Sequence, residues 1–491
     1  MADPDQELDL DLIKRKTVSG VVTFTLRSFF IQAFTFFATF ILTILLAPSV
    51  FGVFFVVSAI LNLFVYFSDI GLAAALIQKK EKPTEEDFKT TFTIQQAMIL
   101  SLVLIGLLFS KKIAGFYHLD DSGLWLLRVL IFSLSLSSLK TIPSIILERR
   151  LDFTKLIIPQ IVEHIIFYSL AIILAYKGLG LASFTYSVLA RGIVGLILIY
   201  IISPWKPGFS FSRKSAKNLV SFGLPFQANS VLALLKDDLL TVFLGKILPY
   251  AQVGYVGWAQ KFAFVPLRFF MDNVIKVTFP AYSRLQENKN ELGKAIDKSI
   301  FFVTFFVYPS VLGMMAIAKP FVDLIPKYNK WEPALPLLYF FGINALFAAV
   351  NTTLSNTLFA IGKPKIVLNL MVFWTILTWL STYLLVIRFG YLGVGMASAL
   401  VAGSTSVIIY FVKKNVPIQL IKNVSGPLLI SILMFIVLIE FLKLLPVTFL
   451  SLALAILLGI ILYSGLSLLI FRENLIKESR TVVAAFLGRK F

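Results

Sequence analysis

Apolar runs long enough to cross a lipid bilayer recur from one end of this chain to the other, and no other feature limits its fold so tightly. Fourteen are legible, at residues 18–46, 50–78, 91–110, 123–146, 156–176, 179–203, 218–244, 251–280, 297–318, 334–361, 365–387, 390–412, 423–444 and 446–470. A spanning helix needs about 20 apolar residues, whereas a barrel strand needs only about 10. Hydrocarbon admits no third solution, because backbone N–H and C=O groups must be satisfied internally. Runs of this length therefore predict an all-α polytopic membrane protein with about 14 transmembrane helices. The opening "MADPDQELDLDLIKRK" is polar and lacks a signal peptide's short basic head followed by an apolar core. It reads as a cytoplasmic lead-in.

A net charge of +19 first suggests a nucleic-acid partner. Sorting the 45 Lys and Arg by position gives another answer. With the N-terminus inside, 28 lie in or beside the connections and termini of that side, 9 lie on the opposite side and 8 fall within spans. The positive-inside rule accounts for this asymmetry and places both termini in the cytoplasm, in a cytoplasmic (inner) cell membrane. The loop charges then face anionic membrane lipids, and no nucleic acid is implied. There is no cysteine, and the two histidines, His118 and His164, lie far apart. Neither a metal cluster nor a cofactor is expected.

The chain also matches itself weakly at an offset of 202. "LAPSVFGVF" at 46–54 aligns with "LPYAQVGYV" at 248–256, placing Gly52 on Gly254. At the same offset "VS" at 18–19 meets "VS" at 220–221, and Asp69 falls one residue from Asp272. Two pseudo-symmetric six-helix lobes are expected, 1–210 and 211–412. An even number of spans per copy gives both the same orientation, about an axis along the membrane normal. The segment 413–491, with helices 13 and 14 and a basic tail, stands outside the repeat. "PWKPGFSFSRKSAK" at 204–217 reads as the linker between lobes.

Charge inside a span is expensive unless paired or hydrated, and so marks function. The first hairpin turns near Pro48; Arg27 lies 21 residues before it and Asp69 21 after, which puts both at one depth on antiparallel helices. The second turns near Pro249, with Asp237 12 residues before and Lys261 12 after. Along the eighth span Lys261, Arg268 and Asp272 fall at i, i+7 and i+11, on one helical face. Lys236, Asp237 and Asp238 are consecutive and cannot all point one way. Two layers result: Arg27, Asp69, Arg268 and Asp272 nearer the cytoplasm, and Lys236, Asp237 and Lys261 nearer the outside. Uncharged stripes accompany them: Ser28, Gln32, Thr35, Thr39 and Thr43 on the first span, Asn344, Asn351 and Ser355 on the tenth, and Gln160, Glu163 and His164 on the fifth. Arg191 is expected to face the same hydrated cavity, Arg128 and Lys140 to snorkel to an interface. Glu440 has no assignable partner.

"LLAPSVFGVFFVVSAILNLFVYFSDIGLAAALIQKKEKPTEEDFKTTF" resembles the first hairpin of the Wzx-type oligosaccharide flippases. These are the polysaccharide transporters of the multidrug/oligosaccharidyl-lipid/polysaccharide (MOP) exporter superfamily, here the branch with the colanic-acid and teichuronic-acid exporters. The likeness continues in "DDLLTVFLGKILPYAQVGYVGWAQKFAFVP", "VTFPAYSRLQ" and "KYNKWEPALPLL", and covers most of 15–412. It implies a MATE-like fold of two lobes in a V, alternating access, and a cationic cavity for the diphosphate of an undecaprenyl- or dolichyl-linked oligosaccharide. By this resemblance Arg27 matches a cavity arginine of lipid II flippases. Asp69, Asp237, Asp238 and Asp272 depart from a purely cationic cavity and are candidates for coupling to H+ or Na+.

From these readings the substrate-binding candidates are Arg27, Gln32, Arg191, Lys236, Lys261, Arg268, Asn344 and Asn351. A monomer that is not an enzyme is expected. A multidrug antiporter of the same superfamily would instead use the acids to hold organic cations, but six embedded acids stand against eight embedded bases. A membrane glycosyltransferase or polymerase would need carboxylates or arginines on a large outer loop. The outer connections near 111–122 and 319–333 are short.

Overall fold

The computed structural model describes residues 10–486 except 69–70, 80, 82 and 229–230. It describes side chains from 27 to 471 apart from 67–70, 80, 82, 218, 222–233, 272–273 and 276–277. All regular structure among the described residues is helical. Two compact units divide the chain, Met1–Gly257 and Trp258–Phe491.

Unit 1 contains α1 (Leu10–Leu45), α2 (Pro48–Ser68), α3 (Leu72–Gln78), α4 (Glu85–Tyr117), α5 (Asp121–Leu139), α6 (Thr141–Arg149), α7 (Phe153–Tyr176), α8 (Ala182–Ile202), α9 (Arg213–Ala228) and α10 (Val231–Ile247), and most of α11 (Tyr250–Ala263). Local chemistry sets the boundaries. Pro48 opens α2 where the first helical N–H has no partner to lose. Thr84 and Asp87 form a reciprocal capping box at α4: Thr84 Oγ1 accepts from Asp87 N at 3.2 Å and Asp87 Oδ2 accepts from Thr84 N at 2.8 Å. Asp120 caps α5 by accepting from Gly123 N at 2.8 Å. The short α3 buries Leu72 and Leu76 completely. Its terminal carbonyls, which no helical N–H can reach, accept from one guanidinium: Arg149 Nη1 donates to Leu76, Ile77 and Lys79 at 2.7–3.0 Å.

Within this unit α1 packs on α7, α7 on α8, α8 on α5, and α2 on both α5 and α10. The offset-202 repeat has a physical counterpart here. A Cβ on Gly52 would lie 1.8 Å from the Tyr250 carbonyl oxygen, and one on Gly254 would lie 2.0 Å from that of Pro48. Since 48 aligns with 250 and 52 with 254, the aligned positions meet each other reciprocally, backbone against backbone. α9 packs on α3 and α4 as well. Within the segment 204–217, Thr93 Oγ1 donates to the Ser210 carbonyl at 2.9 Å, Thr90 Oγ1 accepts from Ser212 N at 3.1 Å, and Trp205 packs edge-on against Phe92.

Unit 2 holds α12 (Val265–Leu285), α13 (Lys289–Leu324), a 3-10 turn (Asn329–Ala334), α14 (Leu335–Ala360), α15 (Pro364–Phe389), α16 (Leu392–Gly403), α17 (Thr405–Lys413), α18 (Leu420–Lys443) and α19 (Phe449–Phe486). Ile300, Val303, Val307 and Val311 repeat at three and four residues along α13 and are wholly buried, the pattern of a helix packed through one stripe. α18 lies on α13, and α19 on both. These three helices frame an apolar groove of about 530 Å³ lined by residues such as Phe305, Gly313, Met434 and Tyr463. Glu440 is exposed and pairs with Lys443 at 2.7 Å, one helical turn on.

Twelve segments among the described residues are long and apolar enough to cross a membrane, rather than the fourteen expected. The other two, 218–244 and 251–280, include residues outside those described. α11 ends at Ala263 and α12 begins at Val265, with Pro266 in its first turn. Pro266 itself has no N–H to donate. The face drawn through Lys261, Arg268 and Asp272 assumed one continuous helix. Lys261 lies on α11 and the other two on α12, and the ladder runs on through Phe264, which donates to the Gln260 carbonyl at 3.2 Å and accepts from Arg268 N at 3.0 Å.

Candidate functional site

Unit 1 forms a half-open cavity of about 440 Å³ between α2, α4, α5, α7 and α8. Its lining includes polar side chains from five helices: Ser58 and Asn62 from α2, Gln95 from α4, Ser137 from α5, Thr141 from α6 and Arg191 from α8. Gln95, only 4% exposed, donates through Nε2 to Thr141 Oγ1 at 3.0 Å, while its Oε1 is buried with no hydrogen-bond partner. A buried acceptor left unpaired costs about 1–3 kcal/mol, so this oxygen calls for a donor that the described residues do not supply.

At one side of the cavity stands an ion cluster. Lys140 Nζ donates to Glu163 Oε1 at 2.7 Å, and the two side chains are only 18% and 12% exposed. Lys140 was expected to snorkel; it turns inward instead, because the Glu163 carboxylate is buried and needs a cation. Sequence counting about the turn at Leu151 holds the signal: Lys140 lies 11 residues before it and Glu163 12 after. Gly195 makes room for this carboxylate, since a Cβ there would sit 1.8 Å from Glu163 Oε1. Arg191 reaches the other oxygen only at 3.7 Å, beyond hydrogen-bonding distance, and lies over the Phe167 ring at 5.9 Å. Its side chain remains 47% exposed.

The other predicted residues are dispersed. Arg27 is half-buried on α1, and its Nε has no hydrogen-bond partner among the described residues. Asp69, its expected partner, lies outside the described residues, as does the side chain of Asp272. Asp238 accepts from Asn62 Nδ2 at 2.8 Å, which ties α10 to α2. Lys236 is half-buried beside it, and Asp237 is exposed. Gln32, Asp237 and Lys261 each engage a neighbour. In unit 2, Arg268 and Lys261 are exposed. Asn344 spends its amide on the Ser398 carbonyl and hydroxyl, both at 2.8 Å, and so joins α14 to α16. Asn351 keeps a buried Oδ1 without a partner. Of the expected fifth-span cluster, Glu163 enters the ion cluster, Gln160 Oε1 is buried and unpartnered, and His164 stacks on Tyr168. Among the described residues no group of His, Cys, Asp and Glu has metal-site geometry.

These features define a multi-pass helical membrane protein with polar and charged groups sequestered inside its bundle. Its fold matches that of a lipid II flippase, MurJ, in an inward closed conformation, with a TM-score of 0.73 at 18% identity over 92% of this chain and all of that one. An inward-facing MATE-family transporter of the MOP superfamily matches with a TM-score of 0.60 at 15% identity, over 78% of this chain and 96% of that one. The chain belongs to the polysaccharide biosynthesis protein family, whose model matches residues 41–336. It is similar to the lipopolysaccharide biosynthesis protein WzxC of Escherichia coli, 24% identical over 82% of this chain and 81% of that one. It is also similar to the succinoglycan biosynthesis transport protein ExoT of Rhizobium meliloti, 23% identical over 64% of this chain. That second match spans 63% of the relative's length.

Proposed function

We propose that the protein is a flippase that moves an isoprenoid-diphosphate-linked oligosaccharide from the cytoplasmic to the outer leaflet by alternating access. The family match over residues 41–336, on a chain with this superfamily's fold, carries the reading. The physical problem fits the residues. Isolated ions cost tens of kcal/mol, in order of magnitude, to bring into hydrocarbon, so a diphosphate needs cations placed along its route. Arg27, with a buried donor unpaired among the described residues, and Lys236 are the candidates in unit 1; Arg268 and Lys261 are those in unit 2. An Arg fork can hold phosphate oxygens bidentately, whereas Lys acts as a point charge. The prenyl chain needs apolar surface, and the groove between α13, α18 and α19 offers it. With both termini in the cytoplasm, an anion leaving a negative-inside cell gains about 2.3 kcal/mol per charge per 100 mV. Coupling to H+ or Na+ through Asp69, Asp237, Asp238 or Asp272 is then optional.

Native mass spectrometry of the purified protein with an undecaprenyl-diphosphate sugar tests this, with a quaternary-ammonium drug alongside. The expected result is retention of the diphosphate lipid, weakened in Arg27→Ala and Arg268→Ala. Retention of the drug alone would replace this reading with that of a cation antiporter.

A further inference from the structure

We propose that residues 204–217 form a phospholipid-binding site at the membrane surface, on the side that the basic connections assign to the cytoplasm. Phe209 and Phe211 enter the leaflet there, and Lys206, Arg213, Lys214 and Lys217 gather anionic phospholipid headgroups around them. The α8 span ends at Ile202, seven and nine residues before the two phenylalanines, which are 75% and 63% exposed. Aromatic rings left bare beyond the end of a span call for an apolar surface. A tether sets their level. Ser210 N donates to Thr93 Oγ1 at 3.1 Å, the same hydroxyl donates to the Ser210 carbonyl at 2.9 Å, and Ser212 N donates to Thr90 Oγ1 at 3.1 Å. On α4 the last charge before the apolar stretch is Lys89, so Thr93 lies four residues, about 6 Å, inside the edge of the hydrocarbon. That is the boundary between headgroups and acyl chains, where interfacial segments bury their apolar side chains. Phe209 also leans on buried Phe92, with ring centroids 5.6 Å apart, which holds its ring at that level.

Charge selects the kind of lipid. The stretch holds four bases and no acid, and all four bases are exposed. Of the three acids that open α4, Glu85 is paired with Lys89 at 2.7 Å and Asp87 with Lys79 at 2.6 Å, which leaves Glu86 in that turn against four cations. On α9, Arg213 and Lys217 stand four residues apart on one face. Leu219, two residues further on, is 4% exposed and packs with Leu72, Leu76 and Phe92. The apolar side of α9 is thus spent on the protein, and its basic side is turned away from it. A basic connection alone attracts anionic lipid diffusely; rings fixed beside the charges give the lipid one place to stay. The four cations are strung from 206 to 217 rather than converging, which suits several monoanionic headgroups better than one compact diphosphate.

The chain is free of cysteine, so Phe211→Cys carrying a bimane fluorophore reports from this site alone. The full-length protein is placed in phosphatidylcholine nanodiscs that hold the same mole fraction of either dibrominated phosphatidylglycerol or dibrominated phosphatidylcholine. The expected result is quenching about twofold or more stronger with the brominated phosphatidylglycerol. The ratio should fall toward one when Lys206, Arg213, Lys214 and Lys217 are all changed to Gln, while quenching by the phosphatidylcholine stays as it was because the segment is still in place. Equal quenching by the two lipids, a preference that survives the Gln changes, or no quenching by either would overturn the proposal. An equal preference at a label on Lys365→Cys, in another basic connection, would overturn it too, by making the attraction a property of the whole basic face. Loss of the preference on adding one equivalent of an undecaprenyl-diphosphate sugar would assign the site to that lipid instead.

Discussion

Replacing Gly52 with alanine adds one methyl group at the point where α2 meets the start of α11. That methyl would sit 1.8 Å from the Tyr250 carbonyl oxygen and 2.7 Å from its carbon. Close carbon–oxygen contacts in proteins run at about 3.3–3.6 Å, so the two backbones must part by about 1.5 Å. Neither side of the contact is a flexible side-chain tip that could swing away. Overpacking of this kind costs about 1–3 kcal/mol, which at about 1.4 kcal/mol per decade disfavours the closed contact by roughly 5- to 150-fold. The neighbouring α2 residue Val56 is wholly buried, its methyls filling the space where Gly245 lacks a Cβ. In this cysteine-free chain, Val56→Cys is therefore a reporter of the contact. A membrane-impermeant maleimide should label it at least fivefold faster in Gly52→Ala than in the parent. Gly254→Ala, whose Cβ would lie 2.0 Å from the Pro48 carbonyl, should do the same, and the double variant should add little because one contact is being broken twice. Gly465→Ala, with nothing within 4 Å, is the control. Unchanged labelling in both hairpin variants, with melting temperature intact, would refute the reasoning.

Other consequences follow from named contacts. Lys140→Met should destabilise the protein by about 1–3 kcal/mol, because it removes the hydrogen bond to a largely buried carboxylate and leaves it only Arg191 at 3.7 Å, and Lys140→Met with Glu163→Gln should recover much of that loss; thermal unfolding of the three variants checks it. Gly195→Ala should lower the melting temperature through the same carboxylate, by about 1–3 kcal/mol of overpacking, and the effect should shrink in a Glu163→Ala background. Thr90→Ala with Thr93→Val removes the hydrogen bonds that hold residues 210 and 212 to α4. At about 1 kcal/mol each, trypsin should nick at Lys206, Arg213 or Lys214 at least fivefold faster, and an unchanged digestion rate would show that the aromatic contacts of Trp205 and Phe209 suffice.

Much of the architecture was legible in the chain because hydrocarbon is an unforgiving solvent. Twelve of the expected spans appear among the described residues as apolar segments of sufficient length. The alignment of Gly52 with Gly254 was visible as well, although its meaning as a reciprocal backbone contact was not. The candidate site was less legible. Lys140, Glu163 and Arg191 were each noticed, but 51 residues separate the first from the last. Position relative to a turn estimates a side chain's depth but not the neighbour it turns toward. Asn344 shows the converse: on a polar stripe it reads as a ligand, yet in the fold its amide joins two helices.

By itself, then, the sequence determined that the chain crosses a membrane many times as helices and, by its basic loops, which side should hold its termini. Hydropathy and charge act on every segment independently, so a one-dimensional reading captures them. Only the tertiary structure decided which embedded charges neutralise each other, which glycines are close approaches, and that one polar cavity lies within the first unit. Those depend on how helices distant in sequence turn their faces to one another, and that rotation is set by packing summed over the whole bundle.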